Sequence, residues 1–442
     1  MSRPGAPTAP DATCGQLAGA AGRPPGTFGA VAVSAEMTFW IETLGCPKNS
    51  VDSDKLAGTL LADGMVAAAD ASEADVVVVN TCAFIEAARQ ESVDTVLALS
   101  DARRPGARLV VTGCMAERYG DELAEALPEA DAIAGFGVPV TLRDRDRARL
   151  DLLNLPRPPS DGSWAYVKVA EGCDRSCGFC AIPQFRGRQR SRSIESILDE
   201  VEAVSVPEIV LVAQDLASYG RDVGRAGAIV DLVERVAALV PRVRLLYLYP
   251  SDLTDELIDA ICLTDVPYFD LSLQHVAKPL LRRMRRWGDG DRFLRRIESI
   301  RAREPDATFR SSFIFGYPGE TESHHDELLR FLDDARLDWA GFFPFCREEG
   351  THAAALDGVV DDGLALERLL EASELQDRIT AEARAALVGR TIEVLVDEPG
   401  VARSHREAPE IDGIVAVPTG LPPRSFATVT VAAAAGPDVE AA

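Results

Sequence analysis

Cys173-Asp-Arg-Ser-Cys177-Gly-Phe-Cys180 follows directly on the apolar run Tyr166-Val-Lys-Val-Ala-Glu-Gly172. The run reads as a strand and the cysteines as the loop at its carboxyl end, where barrels of parallel strands carry their chemistry. Three thiolates packed so closely can hold three irons of a cubic iron–sulfur cluster. The fourth iron then stays open, as catalytic metal sites do and closed structural sites do not. S-adenosylmethionine, whose amino and carboxylate groups chelate such an iron, is its natural occupant, and one-electron cleavage there yields a 5′-deoxyadenosyl radical. The alternative is a zinc knuckle, but zinc sites close with a fourth Cys or His nearby, and none follows Cys180 within 80 residues.

Outward from this loop the chain reads as βα repeats. Downstream, strands are expected at Tyr166–Ala170, Ile209–Ala213, Arg244–Tyr249, Phe269–Leu273, Phe309–Phe315 and Trp339–Phe345, with helical sequence from Leu364 to Val388. About six units fall short of the eight of a closed barrel, which predicts a partial (β/α)6 barrel. Upstream, Phe39–Thr43, Asp75–Asn80, Arg108–Thr112 and Ala132–Gly135 read as strands alternating with helical stretches such as Ser50–Asp63 and Ala87–Ser100. That alternation implies a parallel α/β domain. The last part of the chain changes character: Thr391–Val396, Gly413–Val417 and Phe426–Val431 look like strands of a small antiparallel barrel. The fold class is therefore α/β with a terminal β-barrel. The expected division is a disordered Ala/Gly/Pro-rich leader over 1–36, a first domain over 37–150, a linker over 151–163 containing Asn154-Leu-Pro-Arg-Pro-Pro-Ser-Asp-Gly162, a barrel over 164–388, and a terminal β-barrel with an alanine-rich tail over 389–442. Met37, just before the first strand, is an alternative start.

The first domain carries a second cysteine set. Cys46 lies in Leu44-Gly-Cys-Pro-Lys-Asn49, Cys82 in Asn80-Thr-Cys82 and Cys114 in Thr112-Gly-Cys-Met115, each just past a strand and one βα unit apart. Equivalent strand ends lie side by side in a parallel sheet, at the edge where ligands bind. Three thiols converging there suit a second cluster with an open iron. The competing reading is three unrelated buried cysteines acting as small hydrophobes, which would sit within strands and not in turns beside Gly, Pro or Asn.

Bulk properties set limits. Seventy Asp and Glu against 46 Lys and Arg give a formal charge of −24, which argues against nucleic acid as the main partner and favours a basic one. The segment from Gly389 onward holds four Arg against eight acidic residues, an unusual balance for an RNA-binding barrel. Nine cysteines without a secretory signal point to a reducing cytoplasm and to metal ligation. Cys14, Cys262 and Cys346 have no comparable setting.

A three-cysteine domain, a CxxxCxxC barrel and a small terminal β-barrel together resemble the methylthiotransferases of the radical S-adenosylmethionine enzymes, from Met37 to about Val431. The segments Leu44-Gly-Cys-Pro-Lys-Asn-Ser-Val-Asp-Ser53, Ala170-Glu-Gly-Cys-Asp174, Ala213-Gln-Asp-Leu216, Tyr247-Leu-Tyr-Pro-Ser251, Leu273-Gln-His275 and Arg406-Glu-Ala-Pro-Glu-Ile-Asp-Gly413 resemble the branch that modifies ribosomal protein S-twelve. The resemblance implies two [4Fe-4S] clusters and a TRAM-like terminal barrel. Cys173, Cys177 and Cys180 would ligate the cluster that cleaves S-adenosylmethionine, and Cys46, Cys82 and Cys114 the sulfur-handling one. One S-adenosylmethionine would methylate a sulfide, and a second would supply the radical that takes hydrogen from an aspartate β-carbon, to which CH3S is joined. Flavodoxin or ferredoxin is the implied reductant. The acidic terminal barrel and its Glu-Ala-Pro-Glu-Ile-Asp run favour the protein substrate over the tRNA of related enzymes. A non-catalytic iron–sulfur carrier remains the reading from another class.

Further candidates surround the cysteine loop. Phe179 resembles the aromatic that packs on the cofactor's adenine, with a plain loop aromatic as the alternative. Gln214 and Asp215 end the second barrel strand, placed to bond the cofactor's amino group or ribose. Gly316 in Phe315-Gly-Tyr-Pro-Gly-Glu320 allows close backbone approach, though such runs are often ordinary turns. His275 is expected to be a packed histidine, and His324 and His325 are expected to face solvent. The arginines of Arg186-Gly-Arg-Gln-Arg190, with Arg192, and of Arg282–Arg286 are solvated faces or neutralise charge at the site.

Overall fold

The computed structural model describes residues 37–138 and 150–442. The leader expected over 1–36, Cys14 and part of the stretch before the expected linker lie outside the described residues.

The first layer is an all-parallel sheet built from β1 (Thr38–Thr43), β2 (Val66–Ala67), β3 (Val76–Thr81), β4 (Arg108–Gly113) and β5 (Ala132–Ala134), in the order β2-β1-β3-β4-β5. Its centre is Val76-Val-Val-Val79, a β-branched run buried on both faces, as a strand covered by helices on each side requires. Helices α1 (Pro47–Ala62), α2 (Glu86–Ala102) and α3 (Cys114–Ala126) follow β1, β3 and β4. The three strands that precede the cysteines are thus immediate neighbours. The two-residue edge strand β2 has too little sequence for a period-2 signal.

The cysteine loop opens the second layer. β6 (Trp164–Lys168) leads into a short antiparallel hairpin of β7 (Ala170–Glu171) and β8 (Arg190–Ser191), with the one-turn helix α4 (Ile182–Arg186) between. β9 (Glu208–Val212) and β10 (Arg242–Leu245) pair parallel with it in the order β10-β9-β6, and β11 (Tyr268–Gln274), β12 (Thr308–Phe315) and β13 (Trp339–Pro344) form a second parallel set. A parallel bridge between Leu248 and Leu271 joins the halves into a six-stranded open barrel. Helices α5 (Ile194–Val204), α6 (Ala228–Ala237), α7 (Asp255–Cys262), α8 (Lys278–Arg283), α9 (Gly290–Arg303) and α10 (Glu322–Ala335) clothe it, and α11 (Asp362–Ala385) closes the series. The third barrel strand ends four residues earlier than its apolar sequence suggests. Tyr247 adopts φ 67, its N–H donates to the Asp270 carboxylate at 2.9 Å, and the chain leaves the ladder there.

The terminal barrel is closed by β14 (Thr391–Glu398), β15 (Val401–Arg403), β16 (Val415–Ala416), β17 (Phe426–Ala435) and β18 (Asp438–Ala441). The expected alanine-rich tail is therefore no tail: β17 runs through it, and β18 returns to pair with β17 and β16. Small residues suffice there because closure satisfies the backbone while Val431 and Val439 supply the buried side chains.

This barrel docks on the amino-terminal end of the central one, away from the cysteine loop. Glu208, at the start of β9, is fully buried between Arg244 and Arg403, each at 2.8 Å. The run Arg406–Asp412, read from sequence as a mark of the substrate, is instead a plug. Trp339 Nε1 donates to the Arg406 carbonyl at 2.7 Å, Tyr268 Oη to Asp412 at 2.6 Å and Tyr166 Oη to Glu410 at 3.2 Å, while Ala408 packs among the apolar side chains of the lumen. Two of its three acidic residues meet arginines in the interior, Glu407 with Arg384 and Asp412 with Arg310, and only Glu410 is exposed. No described helix is long and apolar enough to cross a membrane.

Burial pushes the Glu208 carboxyl up, but Arg403, Arg244 and Arg242 outweigh it and hold its pKa down to about 2. Its folded pKa lies below the 4.5 of an ordinary glutamate, so its stabilisation is complete above about pH 4.5 and is lost as the pH falls toward 2. Glu208→Gln should therefore destabilise the docked barrel by about 3–5 kcal/mol near neutrality, because it leaves Arg244 buried without a counter-charge and Arg403 with Asp397 alone. Thermal unfolding across pH checks this: the gap between wild type and variant should shrink on acidification below pH 4.5. A gap that does not change with pH contradicts the docking account.

Candidate active site

Two glycines allow the first-domain cysteines to converge. Gly45 sits at φ +93, and a Cβ there would lie 2.9 Å from Cys82 Cβ and 3.0 Å from its Sγ. Gly113, at φ +91, passes so close to β3 that a Cβ would meet Asn80 Oδ1 at 2.3 Å. Cys46 caps α1 and Cys114 opens α3, so both sulfurs stand at helix N-termini, where the backbone favours a thiolate. The asparagines of the turns fasten the strand ends together. Asn49 Nδ2 donates to the carbonyls of Leu44 and Thr81 at 2.8 and 3.1 Å, and Asn80 Nδ2 donates to the Asn49 carbonyl at 2.9 Å.

The three thiols differ in their electrostatics. Burial pushes the Cys46 thiol up, but Lys48, Arg186 and the backbone N–H groups of Asn49 and Lys48 outweigh it and leave its pKa below the ordinary value. Cys82 is pushed up to about 12 by burial and by the negative charge of Cys46 and Cys114 beside it. Cys114 is raised by burial against the pull of Arg186. Cys82 and Cys114 thus resist ionisation, through burial foremost and the charge of Cys46 in addition, a penalty that iron relieves by taking the sulfurs as thiolates.

The CxxxCxxC loop is pinned at two more glycines. A Cβ on Gly172 would strike the Arg188 carbonyl at 2.2 Å, and one on Gly178 would meet Tyr317 Oη at 2.9 Å. Gly178 also donates to the Met284 carbonyl at 2.8 Å and accepts from Ala353 N at 2.7 Å. Cys173 and Cys180 are raised to about 11 and about 12 by burial foremost, with the neighbouring cysteines adding to it. Arg286 Nη1 donates to Cys177 Sγ at 3.1 Å and its guanidinium lies 4.3 Å from the Tyr249 ring centre, while Arg175 covers the same ring at 3.9 Å.

The two cysteine sets share one interface. After Cys180 the chain runs through Ala181, Ile182 and Phe185 into the core of the first domain, packed with Cys114 and Met115. At the end of α4, Arg186 is buried: Nη2 donates to Asn49 Oδ1 at 2.6 Å and to Cys114 Sγ at 3.1 Å, and Nη1 donates to Glu171 at 2.9 Å. Lys168 completes a buried square by pairing with Asp52 and with Glu171, the latter at 2.7 Å. Sequence reasoning missed Asn49, Asp52, Lys168 and Glu171 as site residues, and it named the basic run without singling out Arg186. The available signal was Lys168 and Glu171 interrupting an otherwise apolar strand, whereas nothing in the run sets Arg186 apart from the exposed Arg188.

Gln214 and Asp215 lie where expected, past β9. Gln214 Nε2 donates to Glu171 at 2.8 Å, and Asp215 accepts from Arg175 Nε at 2.6 Å, yet Gln214 Oε1 and Asp215 Oδ1 are buried without a partner among the described residues. Phe179 is half-buried against the barrel core. Gly316 has a packing role: its N–H is taken by Glu320 at 2.6 Å, and a Cβ would meet Ala365 on α11 at 2.6 Å, so no amide is left for a cofactor. His275 is buried with Nδ1 accepting from Ala277 N at 3.0 Å, and burial drives its pKa down to about 3, so it is neutral. His325 does not face solvent. The buried stripe His325, Leu328, Leu332 and Ala335 turns it inward, where Nε2 meets Glu371 at 2.8 Å.

Among the described residues no three His, Cys, Asp or Glu side chains close around a point tightly enough for a single metal ion. A cubane asks for less, since each thiolate binds a different iron and the ligands stand farther apart. Three thiols, raised pKa values that metal would reverse and unpartnered acceptors at the strand ends together suit such a cluster with a small polar ligand beside it. Cys262 and Cys346 lie outside both groups, and no described cysteine forms a disulfide.

Models of known families match three stretches of the chain. These are a family described as uncharacterized, UPF0004, over residues 38–135, the radical SAM superfamily over 167–332 and the TRAM domain over 388–442. Among solved structures the chain resembles the radical S-adenosylmethionine methyltransferase TsrM from Kitasatospora setae with cobalamin and a [4Fe-4S] cluster bound, with TM-score 0.50 and 14% identity over 72% of this chain and 74% of that one. That likeness concerns the fold alone. Fold and cysteine sets define a radical S-adenosylmethionine enzyme with an added three-cysteine domain. Curated relatives narrow the class: ribosomal protein uS12 methylthiotransferases RimO from Cutibacterium acnes (40% identical over 86% of this chain and 92% of that one) and Moorella thermoacetica (42%, over 88% and 94%). The chain belongs to the RimO family.

Arg186→Met should destabilise the joint between the first domain and the barrel by about 3–5 kcal/mol, because Glu171 and Asp52 would lose a buried counter-charge. Thermal unfolding of anaerobically purified protein reads this, with the exposed Arg188→Met as a control that leaves stability unchanged. Equal behaviour of the two variants contradicts the bridging role.

Proposed function

We propose that this chain methylthiolates the β-carbon of an aspartate in ribosomal protein uS12, in the cytoplasm, with electrons from a flavodoxin or ferredoxin. The observation that carries the reading is the shared interface, at which two three-thiol sets are held together through Arg186 and Glu171. A reaction that makes a radical at one centre and delivers sulfur from another needs both within reach of one carbon atom. The names of the relatives give the substrate.

Bound at Cys173, Cys177 and Cys180, and at Cys46, Cys82 and Cys114, two [4Fe-4S] clusters would supply S-adenosylmethionine cleavage and sulfur transfer respectively. The chain's own residues hold and shield these groups. Gln214 Oε1 and Asp215 Oδ1 are free to accept hydrogen bonds from the cofactor, and Phe179 offers an apolar face to its adenine. Arg286 places positive charge on Cys177, and Arg186 on Cys114, so each set has a fixed cation beside it.

The terminal barrel supports a protein substrate over RNA, for a reason beyond its acidity. All four of its arginines contact the central domain: Arg390 and Arg406 bond Asp306, Arg403 bonds Glu208, and Arg424 donates to the Ser160 and Ser205 carbonyls. None is left uncommitted for a phosphate backbone, which needs such cations.

Incubation with uS12, reductant and S-adenosylmethionine should add about 46 Da to uS12, CH3S replacing one hydrogen. Cys177→Ala should abolish 5′-deoxyadenosine formation, whereas Cys82→Ala should abolish the mass gain and retain some cofactor cleavage. Intact-mass spectrometry and chromatography of the nucleoside give both readouts. Loss of both activities in both variants, with the intact cluster fully loaded, contradicts the division of labour.

A further inference from the structure

The chain has four lysines among 46 basic residues, and three of them have carboxylate partners. Lys55 pairs with Glu200, Lys168 with Asp52 and Glu171, and Lys278 lies 3.9 Å from Asp289. Lys48 is the exception. It is 7% exposed, yet no carboxylate among the described residues lies within ion-pair distance of it. Its ammonium instead rests 3.5 Å from the centre of the Tyr247 ring. A buried ammonium that no carboxylate faces is costly unless something anionic completes its shell.

The place is as informative as the missing carboxylate. Lys48 stands two residues after Cys46, in the first turn of α1, and Tyr247 stands just past β10 at the carboxyl end of the central barrel. Their contact lies on the seam between the two cysteine sets. The lysine's positive charge also bears on Cys46, whose sulfur takes the backbone N–H groups of Lys48 and Asn49. Tyr247 is held under the lysine in the left-handed region at φ 67, a conformation costly for an aromatic residue. It is fixed from both sides, its N–H bonded to Asp270 at 2.9 Å and its carbonyl accepting from Leu216 N at 3.2 Å. Backbone strain and a buried cation without a carboxylate coincide at one point, as at a ligand clamp.

We infer that the Lys48 ammonium, backed by the Tyr247 ring, is the receptor for the carboxylate of the substrate aspartate. This rests on the functional reading above and extends it to how the side chain is chosen. The carboxylate is bonded directly to the β-carbon that reacts, so fixing it fixes the reacting atom between the two centres. An asparagine at the same position would present a neutral amide and lose the charge pairing, which gives the enzyme a means of discrimination.

The test is binding of labelled uS12 to anaerobically reconstituted enzyme by fluorescence anisotropy, using natural uS12 and a form with asparagine in place of the modified aspartate. Wild type should bind the natural form roughly 10- to 100-fold more tightly. Lys48→Gln and Lys48→Met should bind both forms equally and weakly while both clusters still assemble, read as full iron content. Retained discrimination in these variants overturns the assignment, as does loss of a cluster from both, which would make the lysine a structural group. If wild type neither binds nor modifies natural uS12, the functional reading fails and the assignment with it. If wild type modifies uS12 and the variants still discriminate, only the assignment fails.

Discussion

A guanidinium taken out of water sets the geometry of this molecule. Burying Arg186 is unfavourable by several kcal/mol before compensation, and its partners come from three separate parts of the chain: Asn49 and Asp52 on α1, Cys114 at the start of α3, and Glu171 beside the CxxxCxxC loop. Glu171 belongs to the same hairpin as Arg186, but Asn49, Asp52 and Cys114 reach it only when the first domain sits on the barrel mouth in this way. Lys168, equally buried, balances the count, so that two cations meet two carboxylates at the joint. The constraint that makes the interface unique is the same one that brings the two thiol sets together.

The opposite end of the barrel follows the same logic with different residues. Glu208 between Arg244 and Arg403, and the plug from Arg406 to Asp412, fix the terminal barrel to the strand starts. With the amino-terminal end closed, the carboxyl-terminal mouth is left to the first domain and its cysteines. Several arginines and acids that look solvated in sequence are paired in the interior at these two joints.

Strand–helix alternation and turn-borne cysteines are short-range signals, and they were legible in the sequence. The Val76–Val79 run announces a central strand, and Gly45-Cys46 and Gly113-Cys114 announce strand ends that come close together. What could not be read were contacts between residues far apart in the chain. Arg186 and Arg188 look identical in a basic run, yet one is buried on Cys114 and the other is exposed, and only the packing of α4 against the first domain decides which. The Arg406–Asp412 run looked like a surface feature because it is polar. Its burial depends on cations supplied by Arg310 and Arg384. His325 was misplaced because two adjacent histidines in a polar stretch conceal the stripe with Leu328 and Leu332 that turns one of them inward. The Ala432–Ala435 stretch resembled a tail because a strand completed by closure needs few large side chains.

The account stands or falls on each set of three thiols holding its own cubane. Mössbauer spectroscopy of iron-57-enriched, anaerobically purified protein measures this most directly, on wild type and on the two triple variants in which Cys46, Cys82 and Cys114, or Cys173, Cys177 and Cys180, are replaced by alanine. The expected result is two [4Fe-4S] clusters in wild type and one in each triple variant, with the iron content halved. A single cubane in wild type, or zinc in place of iron at either set, would contradict it.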